Sequence, residues 1–327
     1  MNPPLVIPFD LAGQPLDEFL ALHHPRIGKG RLRRMVRDGR ITLDGMRVLP
    51  GVRVGEGQVV LVEVDPDELA APEPGTVPLT LLHEDADFVA VDKPAGIPVE
   101  PSRWGEHPLH LSGTLLAWAE DSKRDDGAVE RRPRGLHRLD LGTSGVVLYA
   151  LGLEAERHAR GLFERGEVKK TYHALVLGEV RGPGEVDTPL GPDPRQAGRM
   201  MAVQKGGKVS LTAYEPLETF RGFTLLKVVP KTGRTHQIRV HLAGIGHPLA
   251  VDSPYGGGPH LSLSKLKRGY RPKKGRQEKP LIERTTLHAA RLEWTGLDGD
   301  SVVAEAPWPT DFALAIKQMR RWRAKKG

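Results

Sequence analysis

The pattern of hydrophobic and polar positions predicts a small α+β module over residues 12–64. Two segments place apolar residues at helical spacing and are predicted to be amphipathic helices. Two short apolar runs then flank Asp44-Gly45, a pair typical of a two-residue β-hairpin turn, and one more apolar run is predicted to be a strand. In chain order these elements are Pro15–Leu22, Gly30–Asp38, Ile41–Leu43, Met46–Val48 and Val59–Val64.

A proline-rich stretch separates this module from the rest of the chain. Residues 65–78 contain four prolines, which disfavour helices and strand ladders, so the stretch is predicted to be a semi-rigid linker. A second domain of mixed strands and helices is predicted over residues 79–322. Its strands are predicted at Phe88–Val91, Val146–Leu151, Lys169–Leu177, Leu287–Trp294 and Ser301–Ala306, and its helices at Leu111–Trp118, Leu153–Glu164 and Asp311–Trp322. A basic insertion over residues 258–280 carries few apolar residues and is predicted to be a mobile surface loop.

Composition and charge narrow the function classes. The 327 residues include no cysteine, which excludes disulfides, thiolate nucleophiles and cysteine-bound zinc. The formal net charge is +7, and three clusters of basic residues favour a nucleic acid as the partner. One cluster covers the second predicted helix, and its candidate RNA-binding residues are Arg31, Arg33, Arg34, Arg37 and Arg40.

The sequence indicates neither a membrane protein nor a cofactor-dependent enzyme. No stretch approaches the roughly 20 apolar residues that span a bilayer, and the first ten residues lack a secretory signal pattern, so a cytoplasmic location is expected. There is no P-loop and no dinucleotide-binding glycine motif. His236 and His241 are five positions apart, which does not place two metal ligands on one side of a helix, so both are interpreted as structural. No metal or cofactor is expected.

The most informative stretch is residues 135–145, which read GLHRLDLGTSG. Its glycines and the charged pair Arg138 and Asp140 predict a tight loop, anchored by the apolar run that follows. Taken alone, such a loop could hold two solvated charges and no more. The string HRLD followed by TSG, however, resembles the signature of the RluA-type pseudouridine synthases, which isomerise uridine in RNA.

Other segments resemble the remaining motifs of that family, in the same order. Lys93 lies in a Lys-Pro turn that resembles the first motif, and Tyr172 lies in KTYHALV, which resembles the second. Residues 231–242, KTGRTHQIRVHL, resemble the last catalytic motif; Arg239 matches its buried arginine, and Arg234 is the alternative if the register is shifted. Asp252 and the Tyr-Gly-Gly sequence at 255–257 resemble the turn that follows it. The module at 12–64 resembles the alpha-L RNA-binding domain that often precedes this catalytic domain.

The resemblance implies both a fold and a mechanism. The fold is α+β: an alpha-L module, followed by a catalytic domain whose central sheet is mixed but mostly antiparallel. Asp140 would be the catalytic carboxylate, acting as a nucleophile or taking a proton. Arg239 would pair with it, and Tyr172 would stack on the uracil and could help remove the proton from carbon 5. Arg138 would fill the gap left by the extruded nucleotide. The implied RNA contacts also include Lys93 and Arg234.

Two other classes of protein stay open at this stage. The chain could be an RNA-binding protein that keeps the synthase fold without its activity. It could also be a hydrolase that uses Asp140 with His137 or His236. Ribosomal RNA is slightly favoured over transfer RNA as the substrate because of the amino-terminal module, no protein partner is implied, and a monomer is expected.

Overall fold

The computed structural model describes residues 3–24, 27, 29–64, 77–100, 109–126, 132–271 and 277–324, without the side chains of 29 and 121–126. The chain forms two compact units, one of Met1–Pro78 with Glu100–Val129 and one of Leu79–Val99 with Glu130–Gly327. Most of the predicted linker, residues 65–76, lies outside the described residues.

The first unit contains a small helix and sheet core. Its elements are β1 (Leu5–Val6), α1 (Leu16–His23), α2 (Lys29–Arg37), β2 (Ile41–Leu43), β3 (Val59–Val62) and α3 (Leu111–Asp126). The three strands form an antiparallel sheet in the order β1-β3-β2. Phe19, Leu32 and Val60 are fully buried in one cluster, because the apolar positions of α1 and α2 recur on one side of each helix. Helix α3 extends beyond the predicted Leu111–Trp118.

The Asp44-Gly45 turn forms as predicted, but the second strand of the hairpin does not. Asp44 and Gly45 both have positive φ, at 51° and 74°, and Leu43 and Met46 exchange both backbone hydrogen bonds. Beyond Met46 the ladder ends, and β2 pairs with β3 instead. The Asp44 carboxylate accepts a hydrogen bond from the backbone N–H of Val59, which directs the chain to β3. The prediction of a strand at Met46–Val48 is therefore wrong.

The second unit is built on a mixed sheet of ten strands among the described residues. The strands are β4 (Leu81–Glu84), β5 (Phe88–Lys93), β6 (Arg134–Gly135), β7 (Ser144–Ala150), β8 (Lys169–Leu177), β9 (Gly184–Asp187), β12 (Leu211–Phe220), β13 (Phe223–Pro230), β14 (Leu287–Thr295) and β15 (Ser301–Glu305). Strands β10 (Leu190–Pro192) and β11 (Met200–Ala202) form a separate antiparallel pair. The order is β4-β5-β7-β14-β8-β13-β12-β9, with β15 beside β14 and β6 beside β7. Within this described sheet only β7 and β14 run parallel, which confirms the expected mostly antiparallel α+β fold.

Gly145 is required where β7 meets β14. Its φ is +114°, and a Cβ atom there would lie 2.1 Å from the carbonyl oxygen of Ala289. Only glycine allows both this backbone conformation and this close approach. The strand that anchors the predicted loop is therefore fixed at its first residues.

The strands alternate their side chains between two apolar layers. Leu175 and Leu225 face one layer, which packs on α7 (Thr310–Trp322) through Phe312. The next residues along the strands face the other layer, where Leu226 packs against Leu242 of α5 (Gln237–Gly244). Helix α4 (Leu153–Arg165) covers another part of the sheet, and Gly166, in the left-handed conformation, caps its C-terminus.

Part of the basic insertion belongs to the apolar core. Leu261 and Leu266 are almost fully buried in the same cluster as Phe312, and the short helix α6 (Leu263–Leu266) packs near α7. The prediction of a surface loop over 258–280 is therefore wrong at these positions. Leu266 is directed inward by this helix, whereas Leu261 precedes it and forms an antiparallel bridge with Ile282. The charge around the two leucines concealed their burial in the sequence. Residues 272–276 lie outside the described part.

Candidate active site

A cavity of about 700 Å³ opens in the second unit. Its walls come from the loop between β6 and β7, from the end of α4, from the first half of β8, and from the loop that joins β13 to α5. The loop at 136–143 contributes Arg138 and Asp140, β8 contributes Lys170 and Tyr172, and α5 contributes Arg239. Three motifs that are far apart in the sequence therefore line one cavity.

Arg239 is shared by two carboxylates. Its Nη1 donates to Asp140 Oδ2 at 3.0 Å, while its Nε and Nη2 donate to the two oxygens of Asp252, each at 2.8 Å. Burial opposes the charge on Arg239, but its hydrogen bonds to Asp252 and the two negative charges raise its pKa above the usual value. The bidentate pair fixes the guanidinium plane, so Nη1 holds the Asp140 carboxylate in one position.

The ring of Tyr255 packs against the guanidinium of Arg239. The Arg239 guanidinium lies 4.8 Å from the centre of the Tyr255 ring, a distance typical of a cation–π contact. The backbone N–H of Met200 donates to the Tyr255 hydroxyl at 2.9 Å, and that hydroxyl is 2.7 Å from His236 Nδ1. Tyr255 therefore links the arginine to His236, a second wall of the cavity.

His236 begins α5 from an unusual backbone conformation, with φ +56°. Its Nε2 is 3.9 Å from Asp140 Oδ2. Burial lowers the pKa of His236 and Arg239 lowers it further, although Asp140 acts in the opposite direction. The sequence interpretation of His236 as structural thus misses its place beside the carboxylate. The same interpretation fits His241, which is buried and bonded to Thr212 Oγ1 and to the carbonyl of Thr188.

Gln237 holds the loop between β13 and α5 in shape. Its Oε1 accepts hydrogen bonds from Thr232 Oγ1 at 2.7 Å and from the backbone N–H of Arg234 at 3.0 Å. Its Nε2 donates to Thr212 Oγ1 and to the carbonyl of Leu211, both on β12. All the polar groups of this buried side chain are used, so the loop has one favoured conformation.

Tyr172 presents its ring to the cavity and is half-buried. Burial, and after it the negative charge of Asp140, raise the pKa of its hydroxyl above the ordinary value. The phenol is therefore protonated throughout the neutral range. It can donate a hydrogen bond to a bound base, and its ring can stack on that base.

The predicted RNA contacts differ in their exposure. Arg138 and Arg234 are exposed and line the cavity. In the first unit, Arg31, Arg33, Arg34 and Arg37 are exposed on α2 and Arg40 is half-exposed just after it. Arg33 also donates to the buried carboxylate of Asp17 at 2.6 Å, so it holds α2 against α1 as well as facing solvent.

Lys93 is not an RNA contact, and this prediction is corrected. The side chain is fully buried, and its Nζ donates to the carbonyls of Pro94, Ile97 and Leu141 at 2.9, 2.8 and 3.4 Å. The last of these residues follows Asp140 directly. Lys93 therefore ties the first motif to the loop that carries the carboxylate.

Burial lowers the pKa of Lys93 to about 7. The charge of Asp140 acts to raise this pKa, and the charge of Arg284 acts to lower it. A lysine in the unfolded chain has a pKa of about 10.4. Between these values the unfolded chain binds a proton that the folded chain does not, so stability rises with pH; below about 7 the two states bind equally. We expect the difference in unfolding free energy between wild type and Lys93→Met to increase by up to about 1.4 kcal/mol per pH unit above about pH 7. Urea unfolding from pH 6 to 9.5 measures it, and parallel curves for the two proteins would contradict it.

The hydrolase alternative that pairs Asp140 with His137 does not fit the arrangement. His137 lies under the loop and accepts a hydrogen bond from the backbone N–H of Leu148 at 3.0 Å, and burial lowers its pKa to about 4. Within the described residues, no group of three histidine or acidic side chains could hold a metal ion.

None of the described helices is both long and apolar enough to cross a membrane.

An arginine-held carboxylate in a basic cavity, beside a protonated tyrosine, defines an enzyme site for an anionic substrate that carries a flat ring. Comparison with known proteins agrees. The family model for RNA pseudouridylate synthase matches residues 87–244. Ribosomal large subunit pseudouridine synthase D of Pseudomonas aeruginosa is 34% identical, over 97% of this chain and 95% of that protein. Its counterpart in Escherichia coli O157:H7 is 31% identical, over 94% and 91%.

A solved structure shares the fold as well. Human RNA pseudouridylate synthase domain containing 4 matches with a TM-score of 0.58 and 27% identity, over 73% of this chain and 92% of that chain. The chain belongs to the RNA pseudouridine synthase family. It is an isomerase that converts uridine to pseudouridine in RNA, as its motifs predict.

Asp252 and Tyr255 are the residues whose roles the sequence interpretation did not identify. Both were placed in a turn that resembles the family pattern, without an assigned function. Their positions in the sequence, 13 and 16 residues after Arg239, gave no reason to place them under its side chain. A fully buried carboxylate needs a cation, and that rule would have found Asp252 only if its burial had been known.

Proposed function

We propose that this enzyme modifies uridines of the large-subunit ribosomal RNA. The observation that carries the proposal is the near full-length similarity to proteins named ribosomal large subunit pseudouridine synthase D, across both compact units. These relatives are bacterial, which supports action in the cytoplasm, where ribosomes assemble. We also propose that the enzyme acts as a monomer.

We assign the chemistry to Asp140, Tyr172 and Arg239. The isomerisation breaks the bond from N1 of uracil to the ribose and forms one from carbon 5, so the base must be released, turned and rejoined. Asp140 would act as the nucleophile or as the base in the first step, because its carboxylate faces the cavity with one oxygen held by Arg239. Arg239 would keep the carboxylate oriented while the base moves.

The basic residues would hold the RNA during this reaction. The arginines of α2, in the proposed alpha-L module at 12–64, are exposed and would contact the phosphate backbone. Arg138, exposed at the cavity, would occupy the space left when the target nucleotide leaves its stack. Extrusion costs about a few kcal/mol, so uridines in loops and junctions are favoured.

The tyrosine hydroxyl gives a further expected result. Tyr172→Phe keeps the ring for stacking and removes the group that could assist proton transfer at carbon 5. We expect RNA affinity to stay within about threefold and turnover to fall by about 10²- to 10⁴-fold. Tritium release from RNA labelled at carbon 5 of uridine measures turnover. Tyr214→Phe, on β12 and outside the residues that line the cavity, is the control. Full activity of Tyr172→Phe would remove the hydroxyl from the mechanism.

The substrate is tested by mapping pseudouridine. Total RNA from cells with the gene intact, deleted or restored would be chemically labelled at pseudouridine and read by reverse transcription. We expect one or a few uridines of the large-subunit ribosomal RNA to lose the modification in the deletion and to regain it on restoration. Loss at transfer RNA sites alone would replace the proposed substrate. No change at any site, with RNA binding retained, would favour a binding protein without activity.

A further inference from the structure

Lys170 is a cation of the cavity wall that takes no part in the chemistry proposed above. Lys170 lines the cavity with Arg138 and Arg234, and the side chain of Lys170 is half-buried. It belongs to β8, two residues before Tyr172. Because side chains alternate along a strand, Lys170 and Tyr172 point to the same side, and Lys169 points away.

The two adjacent lysines differ in their partners. Lys169 is exposed and its Nζ pairs with Glu293 at 2.5 Å. In the part of the chain that the structure describes, no carboxylate lies within ion-pair distance of Lys170, and its ammonium has no hydrogen-bond acceptor. Burial lowers the pKa of Lys170, and the positive charge of Arg234 lowers it further. The folded protein therefore keeps a partly desolvated cation beside a second cation, an arrangement that costs stability.

The surroundings of Lys170 favour an anion from outside the protein. The acids that line the cavity are Asp140, which is held by Arg239, and Glu164, which is exposed on α4. The Lys170 ammonium lies beside the loop between β13 and α5, since a Cβ on Gly233 would be 3.9 Å from its Nζ. Arg234 follows in that loop, and its Nε donates to the carbonyl of Val209 at 3.1 Å, which fixes one side of the guanidinium.

We propose that Lys170 and Arg234 together bind a phosphodiester group of the RNA next to the extruded uridine. The inference rests on the proposed function in that the anion is a phosphate of the substrate RNA. A phosphodiester carries one negative charge and two acceptor oxygens, so one group can satisfy the ammonium and the guanidinium at once. Binding there would fix the position of the attached nucleotide in the cavity, so that its base lies between Tyr172 and Asp140.

The decisive experiment combines a protein variant with a change in the RNA. Lys170→Met keeps most of the aliphatic stem and removes the charge. The substrate is an RNA oligonucleotide that spans the uridine found by mapping, with all natural linkages or with one uncharged methylphosphonate on either side of that uridine. We expect Lys170→Met to lower kcat/KM on the natural RNA by about 10- to 100-fold. One of the two methylphosphonates should lower the wild-type value by a similar factor.

The combination of the two changes separates a phosphate contact from a structural role. If Lys170 binds that phosphate, the variant and the methylphosphonate remove the same interaction, so together they should cost little more than either alone. Losses that multiply would overturn the proposal, as would a Lys170→Met enzyme with wild-type kinetics. Lys169→Met, at the next position on the opposite side of β8, is the matched control and should lose less than about threefold. Lys170→Arg should recover most of the activity. The wild-type enzyme on the methylphosphonate RNAs tests the phosphate contact without relying on the folding of any variant.

A binding measurement keeps this test separate from that of the ribosomal substrate. The affinity for an oligouridine RNA, measured by fluorescence anisotropy over a range of salt concentrations, depends on the phosphates contacted. The slope of log Kd against log salt should decrease by about 0.7 in Lys170→Met and stay unchanged in Lys169→Met. An enzyme that modifies no ribosomal RNA but shows this change would lose its proposed substrate and keep the phosphate site. Equal slopes in both variants would exclude the site.

Discussion

Replacing Asp140 by Asn should abolish turnover and leave RNA binding nearly intact. Asparagine has almost the same shape and can still occupy the space beside Arg239, but it is neither a nucleophile nor a useful base at neutral pH. The carboxylate is the only acid of the described cavity that Arg239 contacts directly. We expect the rate of pseudouridine formation to fall by about 10³-fold or more, while Kd for the RNA changes by less than about threefold.

The measurement pairs a single-turnover assay with binding of the same RNA. Pseudouridine would be scored by chemical labelling or tritium release, and binding by filter retention. Glu164→Gln is the matched control, because it also removes a carboxylate from the cavity wall. Glu164 is exposed at the end of α4, and among the described residues it makes no hydrogen bond or ion pair with Arg239. The variant should stay near wild-type activity. If Asp140→Asn turned over at a tenth of the wild-type rate, the carboxylate would not be the catalytic group.

Replacing Arg239 by Met should lower both stability and activity. The change leaves the carboxylates of Asp140 and Asp252 without their shared cation, and the side chain of Asp252 is only 1% exposed. Removing one partner of a buried ion pair typically costs about 3–5 kcal/mol, because the remaining charge stays in a poor solvent. The cation–π contact with Tyr255 is lost as well. We expect the free energy of unfolding to fall by that amount and the folded fraction to be inactive.

A second buried arginine gives the control for this experiment. Arg284 binds both oxygens of Asp311 at 2.8 and 2.9 Å, outside the residues that line the cavity. Arg284→Met should also be destabilised, but less, because the side chain of Asp311 is 34% exposed and its charge stays partly solvated. It should keep activity in proportion to its folded fraction. Urea unfolding and assays normalised to folded protein distinguish the two effects. An Arg239→Met enzyme that folds stably and remains active would show that the contacts of Arg239 with the two carboxylates are needed neither for stability nor for activity.

The double variant Arg239→Met with Asp252→Asn clarifies the stability loss. If the cost of Arg239→Met comes from the uncompensated charge of Asp252, removing that charge should return part of the lost free energy. Activity should not return, because Asp140 still lacks the donor that orients it. Recovery of both quantities together would mean that Asp252 alone, and not the placement of Asp140, limits the enzyme.

The sequence by itself determined many of the helices and strands of this protein, and its family. Periodicity predicted the amphipathic helices α1, α2 and α7, because burying an apolar face depends on residues a few positions apart. Apolar runs predicted strands β5, β7, β8, β14 and β15, but β12, β13 and helix α5 were not predicted. The motifs around Asp140, Tyr172 and Arg239 predicted the family, which the comparisons confirm. The particular roles of these three residues stay a proposal, although the structure brings them to one cavity.

Only the tertiary structure decided which polar groups meet. Asp140 and Arg239 are 99 positions apart, and their contact depends on the pairing of β7 with β14 and of β14 with β8. Lys93 looks like an RNA-binding cation in the sequence, yet the fold surrounds its ammonium with carbonyls. The residue type is the same in the sequence whether a lysine is exposed or buried, and long-range packing decides its partners. Local sequence pattern carries no information about that packing.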